Sequence, residues 1–218
     1  MKFAKEGYPF IAIGLLMSVA TWLKATTLGQ WSTIPAISLT ILTIFVAWFF
    51  RDPSRTAPSG EDFAISPADG KIISIREIDE PSFFGGSCQR ISIFLSIFNV
   101  HVQRAPMAGK VTHRNYRSGK YLAAWNDKAS EENEQSSLGI STKNGNILVR
   151  QIAGLIARRI ATYPELNSNL EVGERIGLIR FGSRVDLFIP SHWNIECSVG
   201  DTSKGGSTIL ARSTPLAN

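Results

Sequence analysis

Two long uncharged runs near the N-terminus constrain this chain more than any other feature. Residues 7–23 and 25–50 contain no Asp, Glu, Lys or Arg. Their most apolar parts, 10–23 and 34–50, lie at the short end of the roughly 17 to 25 residues that cross a bilayer as a helix. The stretch between them allows only a tight connection. The sequence therefore predicts a hydrophobic helical hairpin over residues 1–50 that associates with a membrane.

The charges that flank the hairpin predict its orientation. Lys2 and Lys5 precede the first run and Arg51 and Arg55 follow the second, whereas the connection carries only Lys24. Positive residues concentrate on the cytoplasmic side of membrane proteins. Both ends of the hairpin are therefore expected in the cytoplasm, with the rest of the chain at the cell membrane on its cytoplasmic side.

Two other interpretations of the N-terminus are a cleaved signal peptide and a buried hairpin of a soluble core. A signal peptide accounts for the first run but not for the second one directly behind it. Whether the hairpin spans the bilayer or inserts only shallowly stays open. The net charge of +5 suits an anionic partner, either nucleic acid or an acidic bilayer. The apolar N-terminus favours membrane lipid, and no nucleic-acid partner is predicted.

The remaining residues, 51–218, are predicted to form a separate domain. The proline-containing stretch 51–62 is typical of a linker. Beyond it, short β-branched runs alternate with glycines, and Asn144-Gly145 is a strong hairpin signal. The fold class is therefore β-rich α+β: a compact domain of short antiparallel strands with minor helix, preceded by the hydrophobic helical hairpin.

One helix is predicted within this β-rich domain. It covers residues 151–162, where the apolar residues follow a helical spacing. The residues on this stripe are Ile152, Leu155, Ile156 and Ile160.

The cysteines and histidines do not indicate a metal site. Cys88 and Cys197 are the only cysteines, and no CxxC pair or neighbouring histidine accompanies them. They are interpreted as reduced, buried thiols. The three histidines are far apart in the sequence, so no metal is predicted.

A Gly-Gly-Ser-Thr sequence near the C-terminus can support an unusual reaction. A serine attacks the carbonyl before it only where the backbone is unusually bent and nothing shields that carbonyl, and glycine permits both. At Gly206-Ser207 the product would be an ester. Elimination would then cut the chain and leave a dehydroalanine that hydrolyses to a pyruvoyl group. Taken alone, the sequence is equally typical of a surface turn, and it does not match the nucleophile elbow of α/β-hydrolases.

Five segments together make this chain resemble the phosphatidylserine decarboxylase family. Their order and spacing agree with the short, pyruvoyl-dependent bacterial and archaeal members over nearly all of residues 51–211. The segments are SPADGKI (66–72), FLSIFNVHVQRAP (94–106), VRQIAGLIARRI (149–160), GERIGLIRFGSRVDLFIP (173–190) and GGSTIL (205–210).

The resemblance implies roles for three residues. Ser207 would be the precursor of a covalent pyruvoyl cofactor, with Asp69 and His101 as its helpers. Cleavage after Gly206 would give fragments 1–206 and 207–218 that stay associated. The set is chemically consistent, because an imidazole can act as a base near neutral pH and a carboxylate can orient it. From residue patterns alone, however, Asp69 also fits a turn and His101 also fits a buried core position.

One position departs from the family pattern. Longer relatives resemble a sequence with a second histidine three residues after the first, where this chain has Arg104. His101 matches the first histidine, which suits proton transfer during decarboxylation. The base for self-cleavage is therefore either His101 or another group.

The implied reaction converts phosphatidylserine to phosphatidylethanolamine and carbon dioxide through a Schiff base with the pyruvoyl group. Arg180 and Arg184 are candidates for binding the lipid phosphate, because a guanidinium pairs bidentately with such oxygens. They also fit ordinary strand positions. Two other functions remain open from the residues: a membrane-tethered β-module without catalysis, and a serine hydrolase.

Overall fold

The computed structural model describes residues 2–28, 33–124, 132–155, 159–180 and 182–214. The chain divides into two compact units, Met1–Ser54 and Arg55–Asn218. Helices make up most of the first unit and β-strands most of the second.

The first unit is the helical hairpin that the sequence predicts. Helix α1 spans Tyr8–Leu28 and helix α2 spans Thr33–Phe49. Each has a proline in its first turn, where the missing N–H is tolerated. Short strands β1 (Lys2–Phe3) and β2 (Arg51–Asp52) pair antiparallel. The two ends of the hairpin therefore lie side by side.

Small and polar side chains join the two helices. The hydroxyls of Ser18 and Thr43 are 3.2 Å apart, and the indole N–H of Trp22 donates to the hydroxyl of Thr40 at 3.1 Å. A Cβ on Gly14 would lie 2.7 Å from the Thr43 hydroxyl, so only glycine allows this approach. Small residues and hydroxyl hydrogen bonds are typical of helix contacts in an apolar medium.

The outward faces of the helices are apolar. Leu16 is 72% exposed and Ile44 is 64% exposed, which is unusual for side chains of this size. The helical stretch Lys5–Thr27, with a mean hydropathy of 1.5, is long and apolar enough to cross a membrane, whereas α2 is shorter. Length and composition of one helix are weak evidence of membrane association.

The second unit is built from short strands, as predicted. Its fourteen strands among the described residues are β3 (Phe63–Ile65), β4 (Gly70–Glu80), β5 (Gly86–Leu95), β6 (Val102–Arg104), β7 (Gly109–Arg117), β8 (Gln135–Thr142), β9 (Gly145–Ile152), β10 (Ile160–Thr162), β11 (Asn169–Leu170), β12 (Arg175–Ile179), β13 (Ser183–Pro190), β14 (Asn194–Ile195), β15 (Thr202–Ser203) and β16 (Ile209–Arg212).

These strands form one large and two small antiparallel sheets. The large sheet has eight strands in the order β11-β7-β8-β9-β13-β5-β4-β15. The small sheets have the orders β10-β12-β6 and β14-β16-β3. All neighbouring pairs in the three sheets are antiparallel. The β-rich α+β fold class is confirmed.

Strand β13 is buried on both faces. Val185, Leu187 and Ile189 alternate along it and point into the main core. Phe188, on the opposite face, packs with Cys88 in a second apolar cluster. Burial of each such side chain contributes about 1.5–3 kcal/mol. The centre of the large sheet is therefore a rigid support for the loops at its ends.

The predicted hairpin at Asn144-Gly145 is confirmed. Strands β8 and β9 pair from Gln135 to Ile152 around a two-residue connection. Gly145 has φ of +134°, a conformation that other residues rarely adopt.

The predicted helix over 151–162 is wrong. Strand β9 continues to Ile152, a loop follows, and β10 begins at Ile160, while Ile156 lies outside the described residues. Ile152 is fully buried as a pairing residue of β13, so sheet pairing overrides the local helical spacing. Isoleucine spacing alone cannot distinguish these outcomes.

The stretch 51–62, predicted as a linker, makes more contacts than a linker would. Its first residues form β2 in the helical unit. From Arg55 onward it is bound to the β-rich unit: Arg55 forms an ion pair with Asp69, and the carbonyl of Asp62 accepts from the N–H of Ser213 at 2.7 Å.

Candidate active site

A tight turn presents Ser207 at the surface of the second unit. The carbonyl of Lys204 accepts from the N–H groups of Ser207 and Thr208, at 3.2 and 3.1 Å. It also accepts from the Ser207 hydroxyl at 3.3 Å. Gly206 has φ of +81°, as the third residue of a type II turn requires. The carbonyl before Ser207 is therefore held in a bend that glycine alone adopts readily.

Crowding also restricts this turn to glycine. A Cβ on Gly206 would lie 2.6 Å from Cδ of Arg104 and 3.3 Å from Cβ of Arg55. A Cβ on Gly205 would lie 3.1 Å from the backbone of Ala68. The Gly-Gly pair thus serves two ends, since it permits the bend and lets other groups approach the backbone.

The SPADG segment holds the turn from the other side. The N–H of Gly206 donates to the carbonyl of Ser66 at 2.9 Å, and the N–H of Ser66 donates to the carbonyl of Thr208 at 2.7 Å. The carboxylate of Asp69 accepts from the N–H of Gly205 at 2.8 Å. Segments separated by more than 130 positions in sequence are therefore joined around Ser207.

Asp69 is also ion-paired. Its second carboxylate oxygen lies 2.7 Å from Nη2 of Arg55, and both side chains are largely buried. The carboxylate is thereby held between a guanidinium and the backbone of the turn. The structure thus brings two of the three predicted catalytic residues, Asp69 and Ser207, into one assembly.

Arg104 completes this assembly. Its side chain is 9% exposed and packs against Gly206, and its Nη1 donates to the carbonyl of Gly173 at 3.0 Å. Its backbone N–H donates to the carbonyl of Pro67 at 2.9 Å. The residue that departs from the longer relatives therefore lies directly beside the bond that is expected to be cut.

His101 lies just before strand β6, three residues ahead of Arg104. It is 1% exposed, and its Nδ1 is 2.9 Å from the carbonyl of Asn99. Its own carbonyl accepts from Nε2 of Gln103 at 2.8 Å. These contacts fix its position through the loop before β6, whereas those described above for Asp69 involve Arg55 and the turn.

A buried polar chain continues from His101 into the sheet. The carbonyl oxygen of the Gln103 side chain accepts from Gln151 at 2.9 Å, and Gln151 accepts from the hydroxyl of Thr162 at 2.7 Å. Thr162 in turn lies 2.7 Å from the hydroxyl of Ser136. Such satisfied networks rigidify the residues they connect.

The two predicted phosphate ligands lie in different surroundings. Arg184 is fully buried, and its guanidinium donates to both oxygens of Asp186, at 2.7 and 3.1 Å, and to Ser92 at 2.8 Å. Arg180 is half-buried, and its backbone N–H donates to Arg159 at 3.4 Å. This placement favours a structural role for Arg184 and leaves Arg180 as the candidate for phosphate binding.

Sequence reasoning missed Arg55 and treated Arg104 only as a departure. Arg55 lies in a segment whose prolines are typical of a linker, so no local pattern indicates its pairing with Asp69. The only available signal at Arg104 was its position next to a motif histidine. Both cysteines are free thiols, and burial raises the pKa of each to about 11.

Comparison with known proteins agrees with this geometry. The family model for phosphatidylserine decarboxylase matches residues 42–211. A phosphatidylserine decarboxylase proenzyme of Symbiobacterium thermophilum is 43% identical over 210 residues, covering 96% of this chain and 94% of the relative. One of Geotalea uraniireducens is 43% identical over 208 residues, covering 95% and 94%.

Proposed function

Because the chain belongs to the phosphatidylserine decarboxylase family, we propose that it converts phosphatidylserine to phosphatidylethanolamine and carbon dioxide after cutting itself between Gly206 and Ser207. The observation that carries the proposal is the turn at 204–208. There a glycine with positive φ precedes a serine, and the SPADG segment holds both by backbone hydrogen bonds. The name proenzyme, given to both relatives, agrees with self-processing.

Self-cleavage is proposed to begin at the Ser207 hydroxyl. Its oxygen attacks the carbonyl carbon of Gly206, the C–N bond breaks, and the hydroxyl proton ends on the amine of Ser207. Removal of the Cα proton of Ser207 then expels Gly206 as a carboxylate. The dehydroalanine that remains takes up water and releases ammonia. The new N-terminus at position 207 is a pyruvoyl group.

Asp69 and His101 are proposed to assist this chemistry. Asp69 fixes the turn, because its carboxylate accepts the N–H of Gly205 while Arg55 balances its charge. His101, held by Asn99 and Gln103, is the candidate for moving a proton in the decarboxylation. A buried imidazole suits this task because it can exchange protons near neutral pH.

The pyruvoyl group would supply an electrophilic carbonyl that takes up the substrate amine and the electrons released with carbon dioxide. The protein must also hold the charged headgroup. Arg180 is proposed to bind the lipid phosphate, since a guanidinium can pair with two of its oxygens. The apolar helices of the first unit are proposed to keep the enzyme on the bilayer that contains its substrate, with the β-rich unit on the cytoplasmic side.

The two fragments are proposed to stay together after the cut. Strand β16 belongs to the smaller fragment and pairs on both sides, with β14 and with β3 of the larger one. Leu210 and Ala211 of this strand are fully buried. Pairing on both sides and burial of apolar side chains both oppose dissociation.

Intact mass spectrometry of the full chain in detergent tests the proposal. We expect a fragment of residues 207–218 with a pyruvoyl end, and carbon dioxide release from vesicles containing phosphatidylserine. Ser207→Ala should abolish both. Ser168→Ala, at a surface turn away from this site, serves as the matched control and should be cut normally.

Other outcomes identify other functions. A single uncut chain without decarboxylation would support a membrane-tethered β-module. An uncut chain whose Ser207 reacts with an acylating serine probe would instead indicate a serine hydrolase. Cleavage with release from a different aminated lipid would retain the mechanism and change the substrate.

A further inference from the structure

We propose that Arg104 is a catalytic residue of self-cleavage, whose guanidinium stabilises the negative charge that develops on the Gly206 carbonyl oxygen when Ser207 attacks. This inference rests on the proposed function and adds a residue to it. It concerns the first step only, in which the carbonyl carbon becomes tetrahedral and its oxygen gains charge.

Contacts on two sides place Arg104 at this carbonyl. A Cβ on Gly206 would lie 2.6 Å from Cδ and 3.4 Å from Nε of Arg104, so the side chain lies against the residue that reacts. A Cβ on Gly173 would lie 4.0 Å from the Gly206 carbonyl oxygen, and the carbonyl of Gly173 accepts from Nη1 of Arg104. The guanidinium and the reacting oxygen therefore lie beside the same residue.

The position of Arg104 is fixed before the reaction. Its backbone belongs to β6, which pairs with β12, and its N–H donates to Pro67 of the SPADG segment. Gly173, which accepts from the guanidinium, is itself held by the N–H···O bond from Gly173 to Ala105 at 2.9 Å. A donor that is already in place needs no reorganisation as charge develops, which is the main advantage of an oxyanion hole.

The local charges suit this role. Arg104 and Arg55 both contact Gly206, and Asp69 neutralises Arg55 through the 2.7 Å ion pair. One positive charge therefore remains next to the reacting carbonyl. Since Arg104 is only 9% exposed, water screens that charge weakly and its effect on a developing oxyanion is strong.

The same geometry excludes Arg104 as the base. A guanidinium stays protonated throughout the ordinary pH range and has no lone pair to accept a proton. The position that holds a second histidine in the longer relatives thus carries a group that can polarise the carbonyl but cannot deprotonate Ser207. Polarisation and proton removal would be separate tasks in this chain.

The test follows the rate of self-cleavage in freshly synthesised full-length protein by intact mass. Arg104→Ala should slow the cut by roughly 100-fold or more, as expected for loss of an oxyanion donor. Added guanidinium ion, below denaturing concentration, should restore part of the rate by occupying the vacated space. Arg104→Lys should cut at an intermediate rate because it keeps the charge without the planar fork.

The controls separate chemistry from folding. Arg114→Ala removes an exposed arginine paired with Glu165 and should be cut at the normal rate, with or without guanidinium. Arg104→Gln keeps much of the side-chain volume, so it should fold, as judged by circular dichroism, and yet be cut slowly. Hydroxylamine, which cleaves an ester, should release no fragment from Arg104→Ala because the ester does not form.

Three results would overturn the inference. The first is normal cleavage of folded Arg104→Gln. The second is release of the fragment from Arg104→Ala by hydroxylamine, since the block would then follow ester formation. The third is slow cleavage of Arg104→Ala that neither guanidinium nor lysine restores, which indicates a structural role. Failure of the wild-type chain to cut would instead refute the proposed function itself.

Discussion

The turn at residues 204–208 and the buried ion pair of strand β13 hold polar groups in opposite ways. In the turn, main-chain hydrogen bonds to the SPADG segment fix a half-exposed serine. In β13, Arg184 and Asp186 are both fully buried and satisfy each other through side-chain hydrogen bonds. One region is positioned by its backbone and the other by its side chains.

This difference separates chemistry from stability. Few apolar atoms depend on the turn, so changes there should alter self-cleavage more than folding. The ion pair of β13 lies at the centre of the large sheet, where a lone charge has neither water nor a partner. Changes there should alter folding more than self-cleavage. The four predictions below test this separation, from the largest expected effect to the smallest.

Arg184→Met should lower the free energy of unfolding by about 3–5 kcal/mol, because it leaves Asp186 as a buried charge whose remaining cation, Arg90, is 4.0 Å away. Urea titration measures the loss. Folded molecules should still cut themselves at the normal rate. The double variant with Asp186→Leu should recover stability, and a double variant as unstable as the single one would contradict this explanation.

Gly206→Ala should slow self-cleavage by at least about tenfold. The new side chain must adopt a positive φ, which costs roughly 1–2 kcal/mol, and it must also displace Arg104. Intact mass against time measures the rate. Gly85→Ala is the matched control, because Gly85 has φ of +68° and no atom near its missing Cβ. It should show similar strain and normal cleavage, and equal slowing in both variants would refute the local explanation.

Asp69→Asn should slow self-cleavage by about fivefold, corresponding to the ~1 kcal/mol of a typical hydrogen-bond contribution. The amide oxygen can still accept from Gly205, but the ion pair with Arg55 is lost. The same mass assay applies, with the exposed Asp62→Asn as control. A melting temperature that falls while the cleavage rate holds would assign Asp69 to stability alone.

The last prediction concerns Glu80, a buried carboxylate at the end of β4. Burial acts to raise the pKa of Glu80, but hydrogen bonds from Ser82, Phe83 and Phe84 and the charge of Arg150 outweigh it and lower the pKa below 4.5. A lowered pKa in the folded state stabilises the protein above the unfolded value and is lost as the pH falls through the folded one.

Glu80→Gln should therefore be less stable than the wild type near neutral pH, with the difference shrinking below about pH 4.5. Thermal unfolding across this pH range measures it. The exposed Glu132→Gln provides the comparison for a surface carboxylate. A stability difference that stays constant down to low pH would mean that Glu80 acts through packing and not through its charge.

Sequence predicted the elements that depend on local composition. The two apolar runs became α1 and α2 because uncharged residues of this length favour helices that satisfy their own backbone. The Asn144-Gly145 hairpin formed because glycine supplies the positive φ. The wrong helix over 151–162 shows the limit, since the burial of Ile152 depends on strands distant in sequence.

At the candidate site, the resemblance supplied Ser207, Gly206, Asp69 and His101, and local patterns did not. The contact between Gly205 and Asp69 joins positions 136 residues apart, which no spacing rule reveals. Arg55 was missed because its partner is equally remote. Arg184 was expected at the surface, and its burial with Asp186 follows only from the pairing of β13 with β5 and β9.

Strand β16 gives the mature protein an unusual thermodynamic status. Before the cut, β16 reaches its place between β14 and β3 as a tethered segment, at the high effective concentration of an intramolecular partner. After the proposed cut it is a peptide ligand, and its occupancy obeys mass action. The thermal midpoint of the mature protein should then fall on dilution, whereas that of Ser207→Ala should not. The molecule folds as one chain and persists as a complex.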